Sequence, residues 1–86
     1  MLILPSDTVT LEWIDPATIA IHPDCRVDGE RVQAYRHELR LIPGATLPPI
    51  LVVEGEASTD GNHRLLAYRA EGVTRALAVI VVRKDQ

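Results

Sequence analysis

Apolar and polar residues alternate from Thr8 to Ile14, with Val9, Leu11 and Trp13 on one side and Thr8, Thr10 and Glu12 on the other. That period of two predicts a half-buried strand, which Pro16 ends. Asp15-Pro16-Ala17-Thr18-Ile19 reads as a turn or a single helical turn with proline in its first position, and Ile19 to Ile21 as a short extended piece before Pro23. The period then changes. Val32, Tyr35, Leu39 and Ile42 recur at spacings of three and four, which predicts a helix from Asp28 or Gly29 to about Ile42. Asp28 is its N-cap by residue type, Arg36, Glu38 and Arg40 fall mostly on its wet faces, and Pro43-Gly44 stops it.

Pro48 and Pro49 introduce Ile50-Leu51-Val52-Val53, an uninterrupted apolar run too short for a buried helix and suited to an interior strand. Glu54-Gly55-Glu56 reads as the turn after it, and Ala57 to Thr59 as a short, weak strand. A second helix opens at Asp60-Gly61-Asn62-His63-Arg64. It puts His63, Leu66, Ala67 and Ala70 on one side, leaves Arg69 and Glu71 on the exposed side, and meets Gly72 where a left-handed C-cap belongs. Arg75 to Val82 closes the chain as a strand rich in β-branched residues, which would invite pairing if it lay at a sheet edge.

Composition narrows what these elements can build. Eighty-six residues suffice for one small domain with room for one site. Apolar residues make up 47% of the chain, but Phe is absent and Trp13, Tyr35 and Tyr68 are the aromatic residues, so the core is expected to be aliphatic. The net charge of −3 argues against broad attraction to nucleic acid, although local basic residues can still hold one phosphate. Cys25 is the single cysteine, so no internal disulfide is possible, no Cys/His cluster has zinc spacing, and a reducing compartment is expected. The apolar residues Met1 to Pro5 give way to Ser6 and Asp7, far short of a signal peptide or a membrane span. A soluble, cytoplasmic protein without membrane contact is expected.

Chemistry concentrates in Asp60-Gly61-Asn62-His63-Arg64. A helix N-terminus presents unpaired backbone N–H groups and the positive end of the helix dipole, so an anion, above all a phosphate, is its natural guest. Gly61 permits a positive φ or a close ligand, Asn62 adds an amide donor, His63 a switchable donor, and Arg64 a fork-shaped cation matched to phosphate. Asp60 would repel that phosphate unless Arg64, His63 or a divalent cation such as Mg²⁺ neutralised it, which makes Asp60 a candidate metal ligand. A plainer alternative uses the same residues. Asp60 caps the helix, Gly61 eases the turn, His63 bonds to backbone, and Arg64 pairs with Asp60 four residues earlier.

The series Arg31-Val32-Gln33-Ala34-Tyr35, Leu47-Pro48-Pro49-Ile50-Leu51-Val52, then Asp60 to Arg64 with Ala67, Tyr68 and Gly72, resembles the ParB/sulfiredoxin superfamily over about Pro16 to Val82. The resemblance implies a small α+β domain spanning residues 1–86, with a mixed sheet of about four short strands and two main helices. It implies a nucleotide, ATP, ADP or CTP with or without Mg²⁺, whose phosphates are held by Gly61, Asn62, His63 and Arg64, with Arg31 as a second cation. Asn62 stands where a sulfiredoxin carries its catalytic cysteine, so sulfiredoxin chemistry is not expected. Partition proteins carry two adjacent arginines at His63-Arg64 and continue into a helix-turn-helix domain, so sequence-specific DNA binding by this chain alone is not expected either. The loop is also similar to that of free-serine kinases of this fold. Such a phosphotransferase or NTPase would need an acidic base, for which Asp24 and Glu30 are the candidates. A third expectation is a structural module that has lost its ligand and serves a protein partner or a second copy of itself.

Overall fold

The computed structural model describes residues 5–42, 47–54 and 60–83. Strand β1 spans Thr8–Ile14, a 3-10 turn covers Pro16–Thr18, helix α1 spans Gly29–Leu41, strand β2 Ile50–Val53, helix α2 Asn62–Ala70 and strand β3 Ala76–Val82. Each predicted helix and each strand longer than three residues therefore forms within a residue or two of its expected bounds. Ile19 to Ile21 forms no strand, although Ile19 and Ile21 pack against the core. The Pro43-Gly44 stop, the turn through Gly55-Glu56 and the Ala57 to Thr59 strand lie outside the described residues, so the described sheet has three strands.

Their order is β1-β3-β2, with β3 antiparallel to β1 and parallel to β2. Among the described strands the closing one thus occupies the centre, and the apolar run Ile50–Val53, expected to be an interior strand, lies at an edge. Burial explains why an edge strand can be so apolar: Ile50 and Val52 point into the core, and the outer side of β2 is bridged by Asp60 to Leu51. A parallel pair also needs a crossover, and α2 supplies it.

One face of the sheet carries both helices. Ile50, Val52, Ala76 and Ala78 pack there with Leu47, Leu65 and Tyr68, and Tyr35 and Leu39 of α1 close over them. Helix α1 begins as expected, with the Asp28 carboxylate accepting from the Glu30 backbone N–H at 3.0 Å. It is a lid, not a core helix. None of its residues is fully buried, and Ile42, expected on its inner face, is exposed.

Helix α2 buries Leu65, Ala67 and Tyr68, whereas Leu66 is half-buried and Ala70 exposed. The expected inner face weighted alanines and large residues alike; the larger apolar areas of Leu65 and Tyr68 decide the rotation. Tyr68 is held further by its hydroxyl, which accepts from the Leu47 N–H at 3.2 Å. Gly72, at φ +69°, ends the helix with Gly72 N–H donating to Arg69 O at 3.2 Å and Val73 N–H to Tyr68 O at 2.9 Å. Those two bonds make a Schellman cap.

Strand β1 has the predicted bounds but not the predicted orientation. Its register sets Ile14 opposite Ala76 on the helix side, which turns Val9, Leu11 and Trp13 to the other face, opposite Val81, Val79 and Leu77. There Val9 is 46%, Leu11 60% and Trp13 53% exposed. Among the described residues no element covers that face of β1. Nor is any described helix long and apolar enough to cross a membrane.

Candidate functional site

The loop before α2 is built around Gly61, whose φ of +88° lies in the left-handed region. A side chain is strained there by the backbone, and its Cβ would also sit tightly, 3.1 Å from Arg64 Nη2 and 3.2 Å from Cγ atoms of Ile50. As N-cap, Gly61 gives no side-chain hydrogen bond to the helix, so the positive end of α2 is left without a cap from its own N-cap residue.

The next three side chains each take hold of a distant piece of backbone. Asn62 Oδ1 accepts from the His22 N–H at 2.9 Å. His63 Nε2 accepts from the Asp28 N–H at 3.0 Å, which requires the neutral ring with its hydrogen on Nδ1. Arg64 Nη1 donates to Pro48 O at 2.6 Å and to Pro49 O at 3.0 Å, and its Nη2 lies 3.6 Å from the Asp60 carboxylate. The Arg64 side chain is only 11% exposed. Three consecutive residues therefore fasten α2 to the 22–28 loop, to the start of α1 and to the entry of β2.

Between these parts lies a cleft of about 220 Å³, lined by Cys25, Arg31 and Tyr35 on one side and Asp60 to Arg64 on the other. Arg31 is exposed, and among the described residues its guanidinium makes no hydrogen bond or ion pair. The sequence ranked Arg64 first and Arg31 second as phosphate ligands. In the structure Arg64 serves two carbonyls and a carboxylate. Tyr35 was read as a core residue; its place four residues after Arg31, on the same helix face, was the signal that it also reaches the cleft.

The proposed bases are chain neighbours of the lining residues Cys25 and Arg31. Asp24 is exposed in the turn after His22, with its N–H donating to His22 Nδ1 at 3.1 Å, and Glu30 is exposed in the first turn of α1. Neither lines the cleft. Asp60 does, with its side chain 72% exposed, but no group of three His, Cys, Asp or Glu residues is placed to hold a metal among the described residues. One carboxylate is a poor Mg²⁺ site by itself and fits only a metal that brings phosphate oxygens with it.

Charges read as solvated also turn out to be fastened. Arg69 donates to Pro16 O at 3.0 Å and to Ile19 O, which ties the far side of α2 to the 3-10 turn. Glu71 accepts from Arg40 and, at 3.4 Å, from Arg36, joining the ends of the two helices. The hydrogen bond from Arg40 holds the Glu71 carboxyl below the usual carboxylate range, against an opposing desolvation, with both arginines adding their attraction. Burial pushes the Tyr68 phenol up, opposed by the Leu47 N–H and by the Arg64 charge.

The same architecture occurs in a solved structure of a Pnob8-like ParB-N domain, which superposes with a TM-score of 0.66 at 16% sequence identity over 96% of this chain. This chain has a ParB-N-like fold. It spans 34% of that solved chain, and at such identity the likeness is one of fold. No protein-family model and no curated protein matches the sequence.

Proposed function

We propose that the cleft between α1 and the start of α2 binds the phosphate end of a nucleotide, ATP, ADP or CTP, in a cytoplasmic ParB-like domain. The observation that carries this reading is Arg31: a guanidinium without a described partner, lining a cleft whose other wall is a helix N-terminus without a side-chain cap. The backbone N–H groups of Asn62, His63 and Arg64 supply directed donors, and Arg31 supplies the charge. Arg64, Asn62 and His63 act through the loop they hold, keeping those N–H groups aimed at the cleft. Asp60 faces the same space and would share a Mg²⁺ ion with the bound phosphates.

Size sets how much of the ligand enters. At about 220 Å³ the cleft is smaller than the roughly 300–1,000 Å³ that enclose a whole drug-sized ligand, so phosphates go in while sugar and base stay at the rim. Selectivity among nucleotides is then weak unless the rim supplies it. With Asp24 and Glu30 outside the lining, binding is better supported than phosphotransfer.

A thermal-shift panel of ATP, ADP, CTP, GTP and inorganic phosphate, with Mg²⁺ or EDTA, tests the reading. A ligand present at a hundred times its Kd adds about 2.7 kcal/mol to native-state stability. For a domain of this size that raises Tm by roughly 10–20 °C. The shift should shrink sharply in Arg31→Ala. If no phosphate compound moves Tm, the cleft is not an anion site; if one does and Arg31→Ala responds equally, the site lies elsewhere.

A further inference from the structure

Two of the three histidines accept backbone N–H groups of one loop, a role that lasts only while their rings are neutral. His63 Nε2 takes the Asp28 N–H at 3.0 Å, and His22 Nδ1 takes the Asp24 N–H at 3.1 Å. The first bond joins the start of α2 to the residue that caps α1, and the second bends the loop at its other end. Asn62 Oδ1 holds the His22 N–H at 2.9 Å, a bond with no titratable group in it. Both histidines are half-buried, so protons reach them without unfolding of the core.

We infer that residues 22–28 form an acid-released latch: protonation of His63 and His22 breaks both bonds, and the loop swings from Asn62 and frees the start of α1. A protonated ring carries an N–H on each nitrogen, so donor would face donor at Asp28 and at Asp24. Most of the fixed charge around His63 acts in the same direction. The ring belongs to the first turn of α2, where the helix dipole disfavours a cation, and it lines the cleft with the guanidiniums of Arg31 and Arg64. Opposed to these are the carboxylates of Asp60, 3.6 Å from Arg64, and of Asp28, which accepts from the Glu30 N–H. Glu30 on α1 and Asp24 and Arg26 in the loop are exposed, so water screens them. Cys25 and Tyr35 complete the lining, and Pro48 and Pro49 at the entry of β2 bring no charge.

The closed latch excludes the protonated rings, whereas the open one admits them. An imidazole free in solvent changes charge near about pH 6.5, so opening grows about tenfold per histidine between about pH 7.5 and about pH 5.5. Ordinary carboxylates keep their charge over that window. Release opens the cleft at its Arg31 end, because α1 has no fully buried residue and keeps its far end through Glu71. The latch is made of bonds within the chain and stands whether or not an anion binds there.

Amide hydrogen exchange followed by NMR on the whole chain, in buffer free of phosphate, tests it from about pH 7.5 to about pH 5.5. Dividing the rate of an unstructured peptide at the same pH by each measured rate gives the protection of each N–H. Protection of the Asp28 and Asp24 amides should fall about tenfold across the window, while the amides of β3 keep theirs. His63→Gln retains an acceptor that takes no proton and should make Asp28 protection independent of pH; His22→Asn should do the same for Asp24. His37→Gln, at the exposed third histidine, should respond as the parent does. Nitrogen-15 shifts of the parent's rings give a check that needs no variant: at about pH 7.5 the hydrogen should lie on Nδ1 of His63 and on Nε2 of His22. Asp28 protection that stays constant in the parent overturns the inference, as does an equal acid response in His63→Gln or the opposite pair of tautomers. A parallel loss of protection in β3 would mean that the chain unfolds as a whole, which overturns it as well.

Discussion

Arg64 and Arg31 line the same cleft, and the proposed reading gives them separable roles that a pair of alanine substitutions can tell apart. Removing the Arg64 side chain leaves two carbonyls, Pro48 O and Pro49 O, without their donor and frees Asp60. Hydrogen bonds to charged groups contribute about 1.5–3 kcal/mol each, but both prolines are exposed and their carbonyls regain water, so the loss is set at about 2–3 kcal/mol. A domain of 86 residues has about 4–13 kcal/mol to lose. Arg64→Ala should therefore lower Tm by roughly 10–20 °C with no ligand present. Arg31→Ala, at an exposed residue without a described partner, should stay within about 0.5 kcal/mol of the parent. Urea unfolding followed by circular dichroism gives both numbers, and the phosphate-dependent rise in Tm is then measured on each variant. Arg31→Ala should abolish that rise, whereas Arg64→Ala should retain part of it in whatever fraction stays folded. An Arg64→Ala protein as stable as the parent would show that the two carbonyl contacts contribute nothing. The reasoning that assigns Arg64 to the scaffold would then be wrong.

Gly61→Ala combines a positive φ with tight Cβ contacts, and should cost about 1–3 kcal/mol in the same unfolding assay; a neutral result would mean that the loop relaxes to another conformation. Tyr68→Phe keeps the ring but leaves the buried Leu47 N–H without its acceptor, a loss of about 1–3 kcal/mol visible as a lower urea midpoint at unchanged slope. Glu71 gives the pH dependence. Its folded-state pKa is depressed by Arg40 and Arg36, so its contribution is present above the ordinary carboxylate range and is lost as pH falls through the depressed value. Melting curves across that acidic window should fall less steeply for Glu71→Gln than for the parent, and parallel curves would refute the assignment.

Local rules made most of the fold legible. Period, capping residue and turn chemistry located α1 with Asp28 before it, β1 before Pro16, and the left-handed Gly72 after α2. What they could not reach was set by partners far along the chain. A period of two says that one side of β1 is apolar, but which side faces the helices depends on register against β3, more than sixty residues away. The order of strands was hidden for the same reason: among the described strands Ile50–Val53 pairs with β3 alone, and its apolar character follows from burial by α2 and Leu47. At the site, Asn62 and His63 were read as donors to a phosphate, with His63 bonded to backbone as the plainer alternative; in the structure both accept from backbone N–H groups. These partners at His22 and Asp28, and the two prolines that hold Arg64, could not be read, because a backbone amide or carbonyl leaves no trace in side-chain chemistry.

Those backbone partners change what binding at the cleft would do. Arg31 belongs to α1 and the loop N–H groups to α2, while His63 already joins the two through the Asp28 N–H and Glu71 joins their far ends through Arg36 and Arg40. Helix α1 has no fully buried residue, so its attachment rests on a half-buried apolar stripe and on these polar ties. A phosphate bridging Arg31 and the start of α2 would add a tie at the end where, among the described residues, His63 acts. Its stabilisation should therefore appear first as slower hydrogen exchange of α1 amides, the segment nearest to opening on its own, and only weakly in the central strand β3. Uniform protection of both elements would mean that α1 does not open separately, and that the ties at its two ends contribute less than its apolar contacts with the core.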